Sequence, residues 1–256
     1  MFLWENKLMI PLRAVVAFIR YKMFDNSDYS KLPDSGFISR YQKTEDKRIP
    51  FVSHWTALPS ADVRAGIENS NRRFFLKPVT LDYFQNMPED ERARREIEKL
   101  RDYFDTRLKK SFREAENKTR IPLLADEPGP DVLTLEFALL CAKPAFRIKN
   151  IILRSLSWMS TVVGLVLETL LWRQDDMGYA AMGIRVFYEG ELVGEIADFE
   201  YGLESVTGLM LFDIKSARAY AYQQASIDRW SESLATLCST TPDVPVKRTL
   251  FTWKPY

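Results

Sequence analysis

Apolar residues recur every three or four positions in two stretches of this chain, and each stripe predicts a long helix with one buried face. In the first, Ala93, Ile97, Leu100, Phe104, Leu108 and Phe112 share a face. Pro88 is expected in its opening turn, where Glu89, Asp90 and Glu91 meet the positive end of the helix dipole. Its other face carries Arg92, Arg94, Arg95, Glu98, Lys99, Lys109 and Lys110, whose mixed company of charges predicts a solvated surface. In the second stripe, Ala217, Tyr220, Gln224, Ile227, Trp230 or Ser231, Leu234 and Cys238 hold the inner face, and Pro242 and Pro245 end the helix.

Period-two patterns supply the strands. Phe74 and Leu76 alternate ahead of Pro78, which suits an edge strand or a strand end. Residues 121–124 form a short apolar run before the turn at Asp126-Glu127-Pro128-Gly129-Pro130. Residues 132–142 are apolar on both faces, the mark of a central strand. Residues 179–188 and 191–201 read as two strands joined at Glu189-Gly190, with glycine supplying the positive φ of a tight hairpin. One antiparallel or mixed sheet with both helices on one face covers every stripe, so the predicted class is α+β, a two-layer sandwich.

The predicted organisation has three parts. Residues 1–24 form a leader whose apolar stretch, 8–19, resembles a displaced signal sequence or an amphipathic segment and is too short to span a bilayer. Residues 25–73, rich in turn formers, are expected to lie across the body as an extended arm anchored by Phe37, Tyr41, Phe51 and Trp55. Residues 74–256 make a single domain, interrupted by an apolar insert at 151–172. Thirteen consecutive residues of that insert, 155–167, are uncharged, too few for a transmembrane core of about twenty. A buried helix, a protein contact and a membrane surface all remain open for it, and Trp158, Val162, Leu165 and Trp172 are the candidate contact residues.

Composition narrows the function more than it defines it. Thirty-six basic against 35 acidic residues leave a net charge of +1, so nucleic acid is not expected as a partner. Basic and aromatic residues do adjoin at Arg40-Tyr41 and Arg72-Arg73-Phe74-Phe75, a pattern able to stack on a sugar or base. Two cysteines, Cys141 and Cys238, exclude a four-cysteine zinc site; they are expected as small buried hydrophobes, with a single disulfide the alternative.

His54 is the one histidine and has no nucleophile motif beside it. A glycine-bounded loop, residues 202–208, lacks the lysine of a phosphate loop. Acidic pairs such as Asp175-Asp176 lack metal-loop spacing. No catalytic residue, cofactor or metal ligand is therefore expected. The alternative is a periplasmic hydrolase or carbohydrate-binding enzyme in which folding carries a carboxylate to His54.

Several stretches, in shared order over about residues 25 to 240, resemble the DUF3313 family of bacterial envelope lipoproteins of unknown function. They are Asp28-Tyr29-Ser30-Lys31-Leu32-Pro33-Asp34-Ser35-Gly36-Phe37-Ile38, Phe75-Leu76-Lys77-Pro78-Val79-Thr80 and Leu100-Arg101-Asp102-Tyr103-Phe104. Further along come Asp126-Glu127-Pro128-Gly129-Pro130-Asp131-Val132-Leu133, then Gly190-Glu191-Leu192-Val193-Gly194-Glu195, with Trp230 on the last helix. The resemblance implies a periplasmic location in the cell envelope and no assigned catalysis. It also implies a lipid on an N-terminal cysteine, whereas here no cysteine precedes Cys141. The expected role is a protein-binding or self-associating module that uses a sheet edge or the insert, with membrane association open through 151–172 or the N-terminus.

Overall fold

Alternating apolar positions in the three longest strands give the sheet two different faces, and the rest of the molecule is arranged around that difference. The computed structural model describes residues 31–45, 49–56, 73–144, 178–201, 220–240 and 246. Among them the order of elements is β1 (Ser53–Thr56), β2 (Arg73–Leu76), α1 (Glu91–Thr119), β3 (Val132–Lys143), β4 (Tyr179–Tyr188), β5 (Glu191–Tyr201) and α2 (Ala221–Ser239). The strands form one mixed sheet in the order β1-β5-β4-β3-β2. β2 runs parallel to β3 and every other neighbour pair is antiparallel. Both helices pack together on one face, so the fold is α+β, a two-layer arrangement of mixed sheet and helix pair.

The helix-side core follows from the period-two pattern. Leu135, Phe137 and Leu139 of β3 stand opposite Val186, Ile184 and Met182 of β4. The stripe of α1, from Ile97 through Leu100, Phe104, Leu108 and Phe112 to Ala115, lies on this layer. Phe104 touches both Phe137 and Trp230, with ring centroids 6.3 and 6.2 Å away, and joins sheet, α1 and α2 at one point. Its complete burial is worth about 2–3 kcal/mol.

The hairpin between β4 and β5 has a two-residue loop in which Glu189 and Gly190 both take positive φ, 49° and 86°. That mirror-image turn matches the natural twist of paired strands. A bulge between Leu139 and Cys141 leaves Leu140 out of register with β4 and puts Cys141 on the same arm face as Leu140, so alternation resumes with Ala142 on the helix side.

Three expectations need correction. Pro88 precedes α1 instead of occupying its first turn, because Asp90 is the cap: its carboxylate accepts the Ala93 amide at 2.8 Å. Residues 121–124 make only an isolated bridge, Leu124 to Phe74, and Ile121 is half exposed. The segment is held locally, since the Glu116 carboxylate accepts the amides of Leu123 and Leu124 at 2.7 and 2.8 Å. α2 buries more than one apolar face: Gln223, Ser226, Arg229, Ser231 and Ser233 are also inside, while Gln224 is half-buried. Three of these find partners there, Gln223 Nε2 donating to the Lys143 carbonyl and Arg229 to Ser226 and Glu200, whereas Ser231 Oγ is buried without one among the described residues.

The second face of the sheet is covered by residues N-terminal to β2. Leu32, Phe37, Ile38 and Val52 pack on Ala138, Leu140, Ala181, Ala197 and Phe199. Phe51 reaches the helix-side core, whereas Tyr41 and Trp55 are half-buried. Both cysteines are free, and they pack on opposite faces, Cys141 under the arm and Cys238 with the helices.

Candidate functional site

The sequence of β5 places acids inside an otherwise apolar strand. Pairing with β4 sets Glu195 beside Arg185 on the arm side, and Asp198 and Glu200 beside Met182 and Ala180 on the helix side. Each is at most 4% exposed. A buried carboxylate costs several kcal/mol unless hydrogen bonds and counter-charges compensate. Here each draws its compensation from a distant part of the chain.

Glu195 grips the arm. The Ser39 amide donates to both carboxylate oxygens at 2.9 and 3.1 Å, the Ser39 hydroxyl donates at 2.6 Å and the Arg40 amide at 3.2 Å. Arg185 Nε stands 3.7 Å away as counter-charge. Asp198 ties arm to helix, accepting the Val52 amide at 3.0 Å and Trp230 Nε1 at 2.7 Å. Glu200 accepts Arg229 Nε at 3.0 Å and a second bond from the same guanidinium.

Beside Glu195 lies a notch. Gly183 has no side chain where Phe37 descends: a Cβ there would meet Phe37 Cδ1 at 2.7 Å and Ile38 Cδ1 at 3.2 Å. The Arg185 guanidinium stacks over the Phe37 ring at 4.4 Å and the Tyr83 ring packs edge-on at 5.0 Å. Arg185 also donates to the Gly36 carbonyl at 3.4 Å, and Gln85 Nε2 donates to the Asp34 carbonyl. Tyr41 closes the turn by donating to the Pro33 carbonyl at 2.5 Å, and burial raises its phenol pKa.

A second polar cluster joins the helices. Arg107 of α1 lies 2.9 Å from Asp228 and bonds Glu232 of α2, with Glu114 at 3.8 Å. Burial works against its charge, but the three carboxylates outweigh that and raise its pKa. Tyr103 donates to Asp228 at 2.7 Å, and burial together with that bond raises its phenol well above the ordinary value.

His54 falls on β1, paired with Ile196, so its ring shares the helix side while Glu195 is on the arm side. Its Nε2 lies 3.0 Å from the Thr56 hydroxyl, a local contact between residues two apart on one strand. Phe74 packs against Phe112 in the core, ring centroids 5.9 Å apart, and is turned inward instead of toward a ligand. The charged face of α1 is laced by its own pairs, Arg95 with Glu91, Lys99 with Glu96 and Lys109 with Asp105. Among the described residues no three His, Cys, Asp or Glu side chains gather to hold a metal ion, and no helix is long and apolar enough to cross a membrane. Trp158, Val162, Leu165 and Trp172, together with Asp175-Asp176 and residues 202–208, lie outside the described residues.

Sequence reasoning missed Glu195, Asp198, Glu200, Gly183 and Arg185 as a group. The clue was present in two forms: acids spaced through an apolar strand, and an Arg229-Trp230 pair of donors on a helix bound to pack over it.

No protein-family model matches the chain, and no curated protein or solved structure shows significant similarity to it.

Proposed function

We propose that the chain is a non-catalytic module of the bacterial cell envelope, on the periplasmic side, that binds or assembles with another protein. The observation that carries this reading is the employment of the buried carboxylates of β5. Glu195, Asp198 and Glu200 each hold a segment of their own chain in place, as structural anchors do. The envelope location rests on the resemblance to the DUF3313 lipoproteins.

Of the two contact modes predicted, the sheet edges are the poorer. The outer side of β1 already accepts the chain at Lys43, with Thr44 N donating to the Val52 carbonyl and His54 N to the Gln42 carbonyl, each at 3.0 Å. The outer side of β2 is met by Leu123–Ala125 through Phe74, one bond in each direction. An incoming strand would have to displace these pairs. The apolar insert, with Trp158, Val162, Leu165 and Trp172, is then the favoured contact.

The test is crosslinking in the source bacterium followed by fractionation and affinity capture. The chain should be recovered with the envelope, joined to a partner that Leu165→Asp releases without loss of the circular dichroism signal. Recovery in the cytosolic fraction, or a partner set unchanged by Leu165→Asp, would count against it. Mass spectrometry of the mature N-terminus reads export independently.

A further inference from the structure

We infer that the arm side of the sheet is a peptide-recognition cradle, filled by residues 34–40 of the same chain and able to take that segment from a second copy. The inference rests on the binding-module reading and gives it one partner, the chain itself.

The character of the contacts is the reason. Side chains of the body address the backbone of the arm: Glu195 takes the amides of Ser39 and Arg40, Arg185 the carbonyl of Gly36, and Gln85 the carbonyl of Asp34. Recognition of main-chain groups, with one deep aromatic anchor, is how proteins hold extended peptides. Phe37 is that anchor, seated over Gly183 between Arg185 and Tyr83. Around Gly183 the floor carries small residues, Ala138, Ala181 and Ala197, which admit a chain at close approach, with Leu140 and Phe199 completing it. By contrast the helix-side core is built from Phe, Leu, Ile and Met and interlocks side chain with side chain.

Every one of these bonds joins the arm to a residue far away in sequence, 51 positions for Gln85 and 155 or more for Glu195. A second copy would therefore reproduce them one for one, and exchange costs little beyond association entropy. Reach is not limiting either. Exchange through residues 57–72, about 50 Å of chain when extended, carries β1 with the arm, and its four pairs with β5 are likewise remade in a second copy. In dilute solution the chain's own arm wins, because tethering gives it an effective concentration of about 1 mM.

Two measurements on the full chain test this. Phe37→Leu weakens the arm and leaves the cradle whole. A fluorescent peptide of residues 31–45 should bind this variant in an anisotropy titration, at least tenfold more tightly than it binds the wild type or Phe37→Leu/Gly183→Ala. Equal binding to all three, or none to a folded Phe37→Leu chain, overturns the cradle. The second needs no variant: wild-type chain mixed with its ¹⁵N-labelled form at about 1 mM should give a dimer of one light and one heavy copy in native mass spectrometry. Only monomers there would overturn exchange between copies, while leaving an envelope partner at Leu165 unaffected.

Discussion

At Gly183 and Gly190 the same substitution to alanine should fail for different reasons. A methyl at Gly190 meets nothing within 4 Å, so its penalty is the positive φ of 86° alone, about 1 kcal/mol. A methyl at Gly183 would overlap Phe37, so the aromatic anchor must lift, an overpacking cost of about 1–3 kcal/mol. Urea denaturation should show both losses. Only Gly183→Ala should also speed amide exchange at Ser39 and Arg40, whose bonds to Glu195 depend on the seated arm; equal exchange in the two variants would refute the role given to the notch. The two thiols make a second case at this scale. Burial pushes both Cys141 and Cys238 up to about 12, so little thiolate exists at pH 8. Their reaction with a disulfide reagent should be slower in native protein than in urea, and equal rates would contradict the packing of these half-buried thiols against the two cores.

Among the elements, the α1–α2 contact carries a pH dependence that can be worked out in sign. The native state raises the Tyr103 phenol above its ordinary value of 10.0, first through burial and then through its bond to Asp228. A raised folded pKa means the stabilisation is complete below pH 10, and is lost as pH climbs from there toward the folded value. Tyr103→Phe should therefore be less stable at neutral pH yet lose less stability between pH 10 and 11. Parallel losses in both proteins would rule out this source. How much of this layer was legible depended on periodicity. The α1 stripe and the Glu189-Gly190 hairpin could be read because local pattern and tertiary environment agree there. β1 could not, since Ser53-His54-Trp55-Thr56 has no alternation of its own and becomes a strand only by pairing with β5. Nor could the buried polar side of α2, because Arg229 is tolerated inside only where Glu200 awaits it. The candidate site was illegible for the same cause: Gly183, Glu195 and Phe37 acquire meaning together, across a separation that no local window spans.

For the molecule as a whole, the two faces of the sheet should come apart at different free energies. The helix side is closed by large interlocking residues, with Phe104, Phe112, Phe137 and Trp230 at most 2% exposed. The arm side is a smaller cluster, Leu32, Phe37, Ile38 and Val52 on Ala138, Leu140, Ala181, Ala197 and Phe199, fastened further by hydrogen bonds from Glu195, Asp198, Arg185 and Gln85. Each such bond contributes only about 0.5–1.5 kcal/mol net, or up to about 3 where a charge takes part. Lifting the arm breaks these bonds and the short β1–β5 ladder, and leaves the antiparallel ladders of β3 with β4 and β4 with β5 intact. It should thus occur as a sub-global opening well below the free energy of complete unfolding. Native-state hydrogen exchange in low urea can separate the two: the amides of Ser39, Arg40 and Val52 should exchange together at one lower free energy, while those of Leu135, Phe137, Met182 and Ile184 exchange only at the global limit. The arm group should depend on urea less steeply than the global group, since its opening exposes the smaller arm-side cluster and leaves the helix-side core closed. If arm and sheet amides instead merge into a single isotherm, the arm is an integral layer of the fold, and the exchange between copies would have no accessible open state to pass through.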